Sequence, residues 1–439
     1  MGARETALNV LIACRKENAW SNGVLKEYVV RDRLDSRDAA LAARLCYGVQ
    51  QNRNRLDFYL AQLLTGKLKD LHPALRDILH LGLYQLYEMD KIPTSAAVNE
   101  SVTLAKKYCP KQKFAPGLTN AVLRNAVRSR ETLRQPVKLE DKYSHPKALI
   151  DLLRQSVGAD RLENMLIANN TIPSTVIQVN TLRVTTEELI QKLEAEGVTA
   201  QPHSWMPDCL VLSNTGNLEK LTAFREGLFY VQDPASKLSV LCAEIPKGEN
   251  VRILDCCAAP GGKSFAAAIL SGGSAEVTSC DIHAHKVALI QNGADRLGLS
   301  NVPPQCQDAT CDRAQWHGQM DVVLADVPCS GYGIIRKKPD IRNKDPKTME
   351  SLPQLQLQIL SKQADYVKPG GVLMYSTCTV LNRENADVVT HFLQQRQDFY
   401  LEDLTIPREI HQDSRGMLTL IPGEHDTDGF FICRLRRKA

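Results

Sequence analysis

Between residues 4 and 134, apolar side chains recur every three or four positions. Leu8, Leu11 and Ile12 share one face, as do Leu41, Leu45 and Val49, then Leu75, Ile78, Leu79 and Leu83, then Val98, Val102 and Leu104. This is the 3.6-residue period of amphipathic helices. Asp35 or Ser36 is placed to cap the second of these helices, Pro73 suits the first turn of the third, and Thr94 or Ser95 is placed to cap the fourth. Strand signals are few, so an all-α domain is expected over residues 1–138. The polar, aperiodic stretch 135–141 reads as a linker.

The pattern then changes. SHPKALIDLLRQSVG is helical, STVIQVN alternates like a strand, TTEELIQKLEAEG is an amphipathic helix closed by Gly197, and CLVLSN and GLFYVQD are further strands. A small α+β module over residues 139–230 follows. Trp205, Phe229 and Tyr230 offer aromatic faces for base stacking, but aromatics at strand spacing more often fill a core. From residue 231 strands alternate with helices: VRILD, EVTSCDI, QCQDAT, DVVLAD and GGVLMYSTC, then MLTLIP and GFFICRL as a terminal antiparallel pair. That alternation predicts an α/β, Rossmann-like domain over residues 231–439.

Composition narrows the setting. No apolar run in the 439 residues approaches the roughly 20 needed for a membrane span, and the first 25 residues lack a basic-then-apolar leader. Thirteen cysteines form an odd set without a repeated C-x-x-C, so neither a disulfide framework nor a zinc site is expected. A soluble cytoplasmic protein with reduced thiols and no metal is the reading. Charge is unevenly spread: residues 1–139 hold 23 Lys and Arg against 13 Asp and Glu, whereas the remainder holds 31 against 37. Such asymmetry points to a polyanion on the N-terminal part, although solvated basic helix faces are common.

The most informative stretch is 251–264, VRILDCCAAPGGKS, a strand, a glycine turn and the start of a helix. Open α/β sheets bind ligands at such turns. The G-x-G-x-x-G of a dinucleotide site is missing, and the phosphate loop G-x-x-x-x-G-K-[ST] would need glycine where Cys257 stands. A nucleoside with an amino-acid tail, S-adenosylmethionine, fits best. Asp281, 19 residues beyond Gly262, then suits the ribose hydroxyls, and Asp308 the adenine edge. For each of these, and for Asp326, capping the next helix is the competing and weaker reading.

Two cysteines follow strand ends: Cys329 in DVPCSG and Cys378 in STC. Methylating an oxygen or amine needs no thiol, because a lone pair attacks directly. Carbon 5 of a pyrimidine becomes nucleophilic only after a thiolate adds to carbon 6. Asp326, with some protonated character, would hydrogen-bond or protonate N3, and Lys263 would either favour the thiolate or order the loop. The residues alone do not say which cysteine attacks.

LDCCAAPGGKS, DVPCSGYG and YSTCTV resemble the signature motifs of RNA cytosine-C5 methyltransferases, and SRDAALAARLCYGV and FAPGLTNAVLRNAV resemble the NusB RNA-binding domain. Nearly the whole chain is similar to the RsmB (Sun/Fmu) type. The resemblance implies a SAM-dependent methyltransferase domain preceded by a NusB-like domain, acting on a cytosine of small-subunit ribosomal RNA; unassembled or partly assembled RNA and a monomeric enzyme are the accompanying expectations. It implies Cys378 as nucleophile and Cys329 in product release. Cys257, Ala258, Ala259, Pro260, Gly261, Gly262 and Lys263 fall on the cofactor loop, with Asp281, Asp308 and Asp326 as further contacts. The pair Cys256-Cys257 stands where Leu-Cys is more usual, and the acidic HDTDGFF segment is longer than the pattern. Candidate RNA contacts are Lys106, Lys107, Lys111, Lys113, Arg124 and Arg128, and, between the cysteines, Arg336, Lys337, Lys338 and Arg342. Transfer RNA as substrate, or a non-catalytic RNA-binding factor on the same fold, are the competing readings.

Overall fold

The computed structural model describes all residues except 18, 249 and 411–414. The chain forms two units, Met1–Leu152 with Ile335–Lys344, and Leu153–Ile334 with Asp345–Ala439.

The first unit is helical, with its main helices at Ala3–Glu17, Ser21–Arg31, Ser36–Leu63, Pro73–Glu88, Thr94–Tyr108 and Ala115–Arg128. Its core is the apolar stripe read from the sequence: Leu8, Leu45, Leu75, Ile78 and Leu123 have no exposed surface. Asp35 caps its helix by accepting from the Asp38 N–H at 2.8 Å, and Pro73 occupies a first turn. The expected cap at Thr94 or Ser95 is not formed. Extended Pro93 turns the chain into that helix, so both residues are already helical and neither bonds back to the first turn. Part of the expected linker is ordered as the short helix Leu139–Lys142. Among the described residues no helix is long and apolar enough to cross a membrane.

Segment 335–344 joins this helical unit although it lies between the two cysteine motifs in sequence. Ile341 and Arg342 are buried in it. Arg342 donates to the carbonyls of Gln51 at 2.7 Å and Ser144 at 3.3 Å, and Asp340 accepts from the Ser21 N–H and hydroxyl.

The second unit contains two sheets. Strands β1 (Thr175–Val179), β2 (Thr199–Pro202), β3 (Cys209–Ser213) and β4 (Phe229–Val231) form an antiparallel sheet in the order β2-β3-β1-β4. Strand β2 was not expected, since TAQP is short and polar. Helix Thr186–Ala195 starts at a capping box between Thr185 and Glu188 and buries Leu189 and Leu193 with Ile177, Leu210 and Phe229. Phe229 and Tyr230 are buried and therefore serve the core, leaving neither ring free to stack on a base.

The larger sheet is built from β5 (Arg252–Asp255), β6 (Glu276–Asp281), β7 (Pro304–Cys306), β8 (Met320–Asp326), β9 (Val367–Thr377), β10 (Phe399–Leu401), β11 (Met417–Leu420) and β12 (Phe430–Arg437). Its order is β10-β12-β9-β8-β5-β6-β7, with β11 paired to β12. Strands β5 to β9 are parallel, β12 runs antiparallel to β9, and β11 and β12 form the expected terminal pair. Strand β10 is an addition. Neighbouring residues bury opposite faces: Ile253, Val322 and Ile432 on one, Leu254, Val323 and Phe431 on the other. The strand order reverses between β5 and β8, and such a switch point opens a crevice at the carboxyl ends of the strands.

Candidate active site

The site begins where β5 ends. Asp255 is fully buried and accepts from the Ser264 hydroxyl at 2.8 Å, which ties the strand end to helix Gly262–Leu270 and closes the intervening loop. Burial pushes its carboxyl up to about 7. Within the loop the Ala259–Pro260 peptide is cis and Gly261 has φ +113°. A Cβ at Gly261 would lie 2.3 Å from the Phe265 ring, so only glycine permits this turn.

Lys263 leaves the first turn of that helix and points back to the sheet. Its ammonium donates to Asp326 Oδ2 at 2.7 Å and to Ser236 Oγ at 2.8 Å, and sits 5.0 Å from the centre of the Phe430 ring. Asp326, the last residue of β8, also accepts from the Ser376 hydroxyl at 2.9 Å. Both carboxyl oxygens therefore act as acceptors.

Lys263, Asp326 and Asp255 line a cavity of about 220 Å³ together with Cys257, Ala258, Ala259, Pro260, Gly262 and Cys378. Asp233, Ser236, Asp428 and Phe430 complete the wall and were not foreseen. Asp233 is the N-cap of helix Pro234–Leu241, and an Asp-Pro pair reads as a helix start and nothing more. The Asp428 N–H donates to Asp233 at 3.2 Å, which brings the acidic segment HDTDGFF, whose role was unread, onto the cavity. Asp281 and Asp308 are placed elsewhere on the same edge. Asp281 ends β6, is buried and accepts from the His283 N–H at 3.0 Å; Asp308 lies two residues beyond β7 and accepts from the Thr310 N–H at 2.8 Å.

The two cysteine motifs leave adjacent parallel strands. Asp326 pairs in register with Ser376, and the Val327 N–H donates to the Ser376 carbonyl at 3.1 Å, so the following loops start side by side. Cys329 Sγ lies 3.1 Å from Cys378 Sγ, and Cys378 is the one on the cavity wall. Each of the thirteen cysteines is a free thiol. The hydrogen bond with Cys378, reinforced by burial, holds the Cys329 thiol well above its ordinary range. The Cys329 loop is fixed by a buried carboxylate: Glu384 accepts from the Ser330 N–H at 2.9 Å and from Gln356 Nε2 at 3.0 Å, and Gln356 also donates to the Pro328 carbonyl at 2.9 Å. The Gly333 N–H donates to the Cys378 carbonyl at 3.0 Å, and a Cβ on Gly333 would lie 1.9 Å from the Gly429 carbonyl oxygen.

The basic candidates divide. Lys106, Lys107, Lys111, Lys113, Arg124 and Arg128 are exposed on the helical unit, with Lys107 paired to Glu5 at 2.5 Å. Arg124 and Arg128, one turn apart, face a groove that also exposes Thr94 and Ser95 at an N-terminus without a side-chain cap. Lys338 is exposed and Arg336 and Lys337 are half-buried. Arg342 is 1% exposed and spends its guanidinium on backbone carbonyls, so the expectation of an RNA contact is corrected to a structural role.

Residues 244–436 match the 16S rRNA methyltransferase RsmB/F family, residues 1–128 the NusB family, and residues 145–219 the RsmF/B-like ferredoxin-like domain. The chain is 35% identical over 445 residues to the probable ribosomal RNA small subunit methyltransferase B of Bacillus subtilis, covering 99% of this chain and 98% of the relative. It is 32% identical over 442 residues to the ribosomal RNA small subunit methyltransferase B of Pseudomonas putida, again covering 99% and 98%. In fold it is similar to the crystal structure of PH0851, with a TM-score of 0.82 at 24% identity over 100% of this chain and 99% of that one. NSun6 from Pyrococcus horikoshii, crystallised with SFG, gives a TM-score of 0.57 at 22% identity, over 67% of this chain and 98% of that one. With a NusB domain, a ferredoxin-like module and a Rossmann-like catalytic domain in that order, the chain belongs to the RsmB/F family of 16S rRNA methyltransferases.

Proposed function

We propose that the enzyme transfers a methyl group from S-adenosylmethionine to C5 of a cytosine in 16S ribosomal RNA, through a covalent adduct between Cys378 and C6 of the base. The observation that carries this reading is the convergence of two thiols, 3.1 Å apart at adjacent strand ends, with Cys378 on the cavity wall. An oxygen or amine acceptor would leave that pair without a purpose; an unactivated ring carbon requires a nucleophile.

The cavity suits the cofactor. Asp233, Asp326 and Asp428 favour a cation, and the glycine turn lets backbone approach closely: a Cβ on Gly262 would already sit 3.0 Å from Gln232 Nε2. Residues 257–263 and Asp326 would hold the cofactor there, with Asp281 and Asp308 serving its ribose and adenine. When bound, it supplies an electrophilic methyl group on a sulfonium.

The protein's own groups do the rest. Cys378 attacks C6 as a thiolate, and the Cys329 thiol, held protonated, donates a hydrogen bond to that sulfur and keeps its proton. The Lys263–Asp326 pair meets N3 and the neighbouring amino group, with Asp326 hydrogen-bonding or protonating N3 as the thiolate adds. Once a base has taken the C5 proton, the C6–S bond breaks and Cys378 leaves as a thiolate, with the Cys329 thiol assisting its release. Glu384 and Gln356 act through Cys329 by fixing its loop.

The helical unit binds phosphates. Its basic surplus supports this, as do Arg124 and Arg128 beside the N–H groups at the start of helix Thr94–Tyr108. Lys106, Lys107, Lys111, Lys113, Arg336, Lys337 and Lys338 are further contacts. The protein acts as a cytoplasmic monomer, without a metal, on small-subunit RNA that is unassembled or partly assembled. Incubation with labelled cofactor and unmodified 16S RNA, followed by mapping of the modified base, tests the reading. A label on C5 of one cytosine is expected; a label on an oxygen, an exocyclic amine or another base overturns it.

A further inference from the structure

We propose that Cys329 and Cys378 form an oxidation site, a dithiol that a hydroperoxide converts into an intramolecular disulfide and a thiol reductant restores. The pair meets the requirements of such a centre. The sulfurs are 3.1 Å apart, so a bond of about 2.05 Å needs them to close by roughly 1 Å, within reach of side-chain rotation. Backbone rearrangement is not called for, because the two loops already leave paired strands and are bonded to each other through Gly333 and Cys378. Both thiols are half-buried, and Cys378 lines an open cavity wide enough for a small peroxide, whereas Cys329 is not part of its wall. Cys256 and Cys257 also approach, at 3.8 Å between sulfurs, but they are adjacent in sequence and Cys256 is buried.

The chemistry balances in two steps. The Cys378 thiol attacks the peroxide O–O bond, giving a sulfenic acid and releasing an alcohol, or water if the oxidant is hydrogen peroxide. The Cys329 sulfur then attacks the Cys378 sulfur, the S–S bond forms, and the hydroxyl leaves as water with the proton of Cys329. Two thiols are oxidised and one peroxide is reduced. The loss of methyl transfer that should follow rests on the proposed role of Cys378; the formation of the disulfide does not.

The test is to treat the full chain with hydrogen peroxide, block remaining thiols by alkylation, and digest. A peptide pair joined through Cys329 and Cys378 is expected, about 2 Da lighter than the sum of the free peptides. It should appear before sulfinic acid at Cys378 and be lost on adding dithiothreitol, with exposed Cys306 and Cys311 as comparison thiols. In Cys329→Ser, Cys378 should instead advance to sulfinic acid that dithiothreitol does not reverse. Separate alkylated peptides throughout, direct sulfinic acid at Cys378 in the unsubstituted protein, or a bond from either residue to another cysteine would overturn the proposal. If the disulfide forms and is reduced while methyl transfer to C5 is never seen, the dithiol stands and the functional reading falls.

Discussion

Lys263 and Asp326 form an ion pair of unequal burial: Nζ to Oδ2 is 2.7 Å, and their side chains are 9% and 28% exposed. Removing one partner strands the other, and the cost follows the burial of the group left behind. Asp326→Ala leaves an enclosed ammonium with Ser236 and the Phe430 ring but without a counter-charge from Asp326, and should cost roughly 2–4 kcal/mol. Lys263→Met leaves a carboxylate that water reaches and should cost about 1 kcal/mol. Chemical denaturation of both variants checks this; a larger loss for Lys263→Met would show that the pair does not order the loop as described.

The unequal placement of the two thiols predicts different failures. Cys378→Ala should abolish methyl transfer while cofactor binding, measured by calorimetry, persists. Cys329→Ala should accumulate a protein–RNA adduct that survives denaturing electrophoresis, because attack proceeds and release does not. Undiminished transfer by Cys378→Ala would remove it as nucleophile, and normal turnover by Cys329→Ala would contradict its part in release.

Asp255 makes stability depend on pH. Burial raises its folded value to about 7 from the ordinary 3.8, so between those limits the unfolded chain loses a proton that the folded chain keeps. Stability from this group is complete below pH 4, falls as pH rises toward 7, and levels off above. Asp255→Asn, which still accepts from Ser264, should flatten the unfolding free energy across that window. Parallel curves for the two proteins from pH 4.5 to 8 would assign the slope to other groups.

Arginines on the helical unit should separate by role. Arg124→Ala with Arg128→Ala removes two phosphate contacts and should reduce the slope of log affinity against log salt by about 1.5, leaving the melting temperature nearly unchanged. Arg342→Ala should leave that slope intact and cost about 2 kcal/mol, since buried carbonyls of Gln51 and Ser144 lose a charged donor. Removing residues 1–139 is a poorer test, because Ile341 and Arg342 are buried in the same unit and would be stripped of their partners. An altered salt slope in Arg342→Ala would return it to the RNA contacts.

Much of this was legible because the relevant signals are local. Periodicity needs only neighbours in sequence, so the helical unit, the succession of strands β5 to β9 along the chain and the terminal pair β11 and β12 could be read directly. Short strands without alternation, β2 and β10, could not; they exist because a neighbouring strand offers free hydrogen-bonding groups. The Thr94 cap failed for a related reason, as a hydroxyl can cap only from outside the helix and the turn was already made by Pro93.

By itself the sequence determined the kinds of chemistry: a glycine turn for the cofactor, acidic strand ends, and two cysteines whose order was supplied by resemblance. Only the tertiary structure decided which of these groups meet. The 3.1 Å approach of Cys329 and Cys378, the capture of Asp326 by Lys263, and the arrival of Asp428 beside Asp233 join residues 49, 63 and 195 positions apart. Arg342 shows the converse: a basic run looks alike whether solvated or enclosed, and burial, a property of the packed chain, decides its role. Side-chain type is written locally, whereas distance and desolvation, which set acidity and reactivity, arise from how strands pair and loops close.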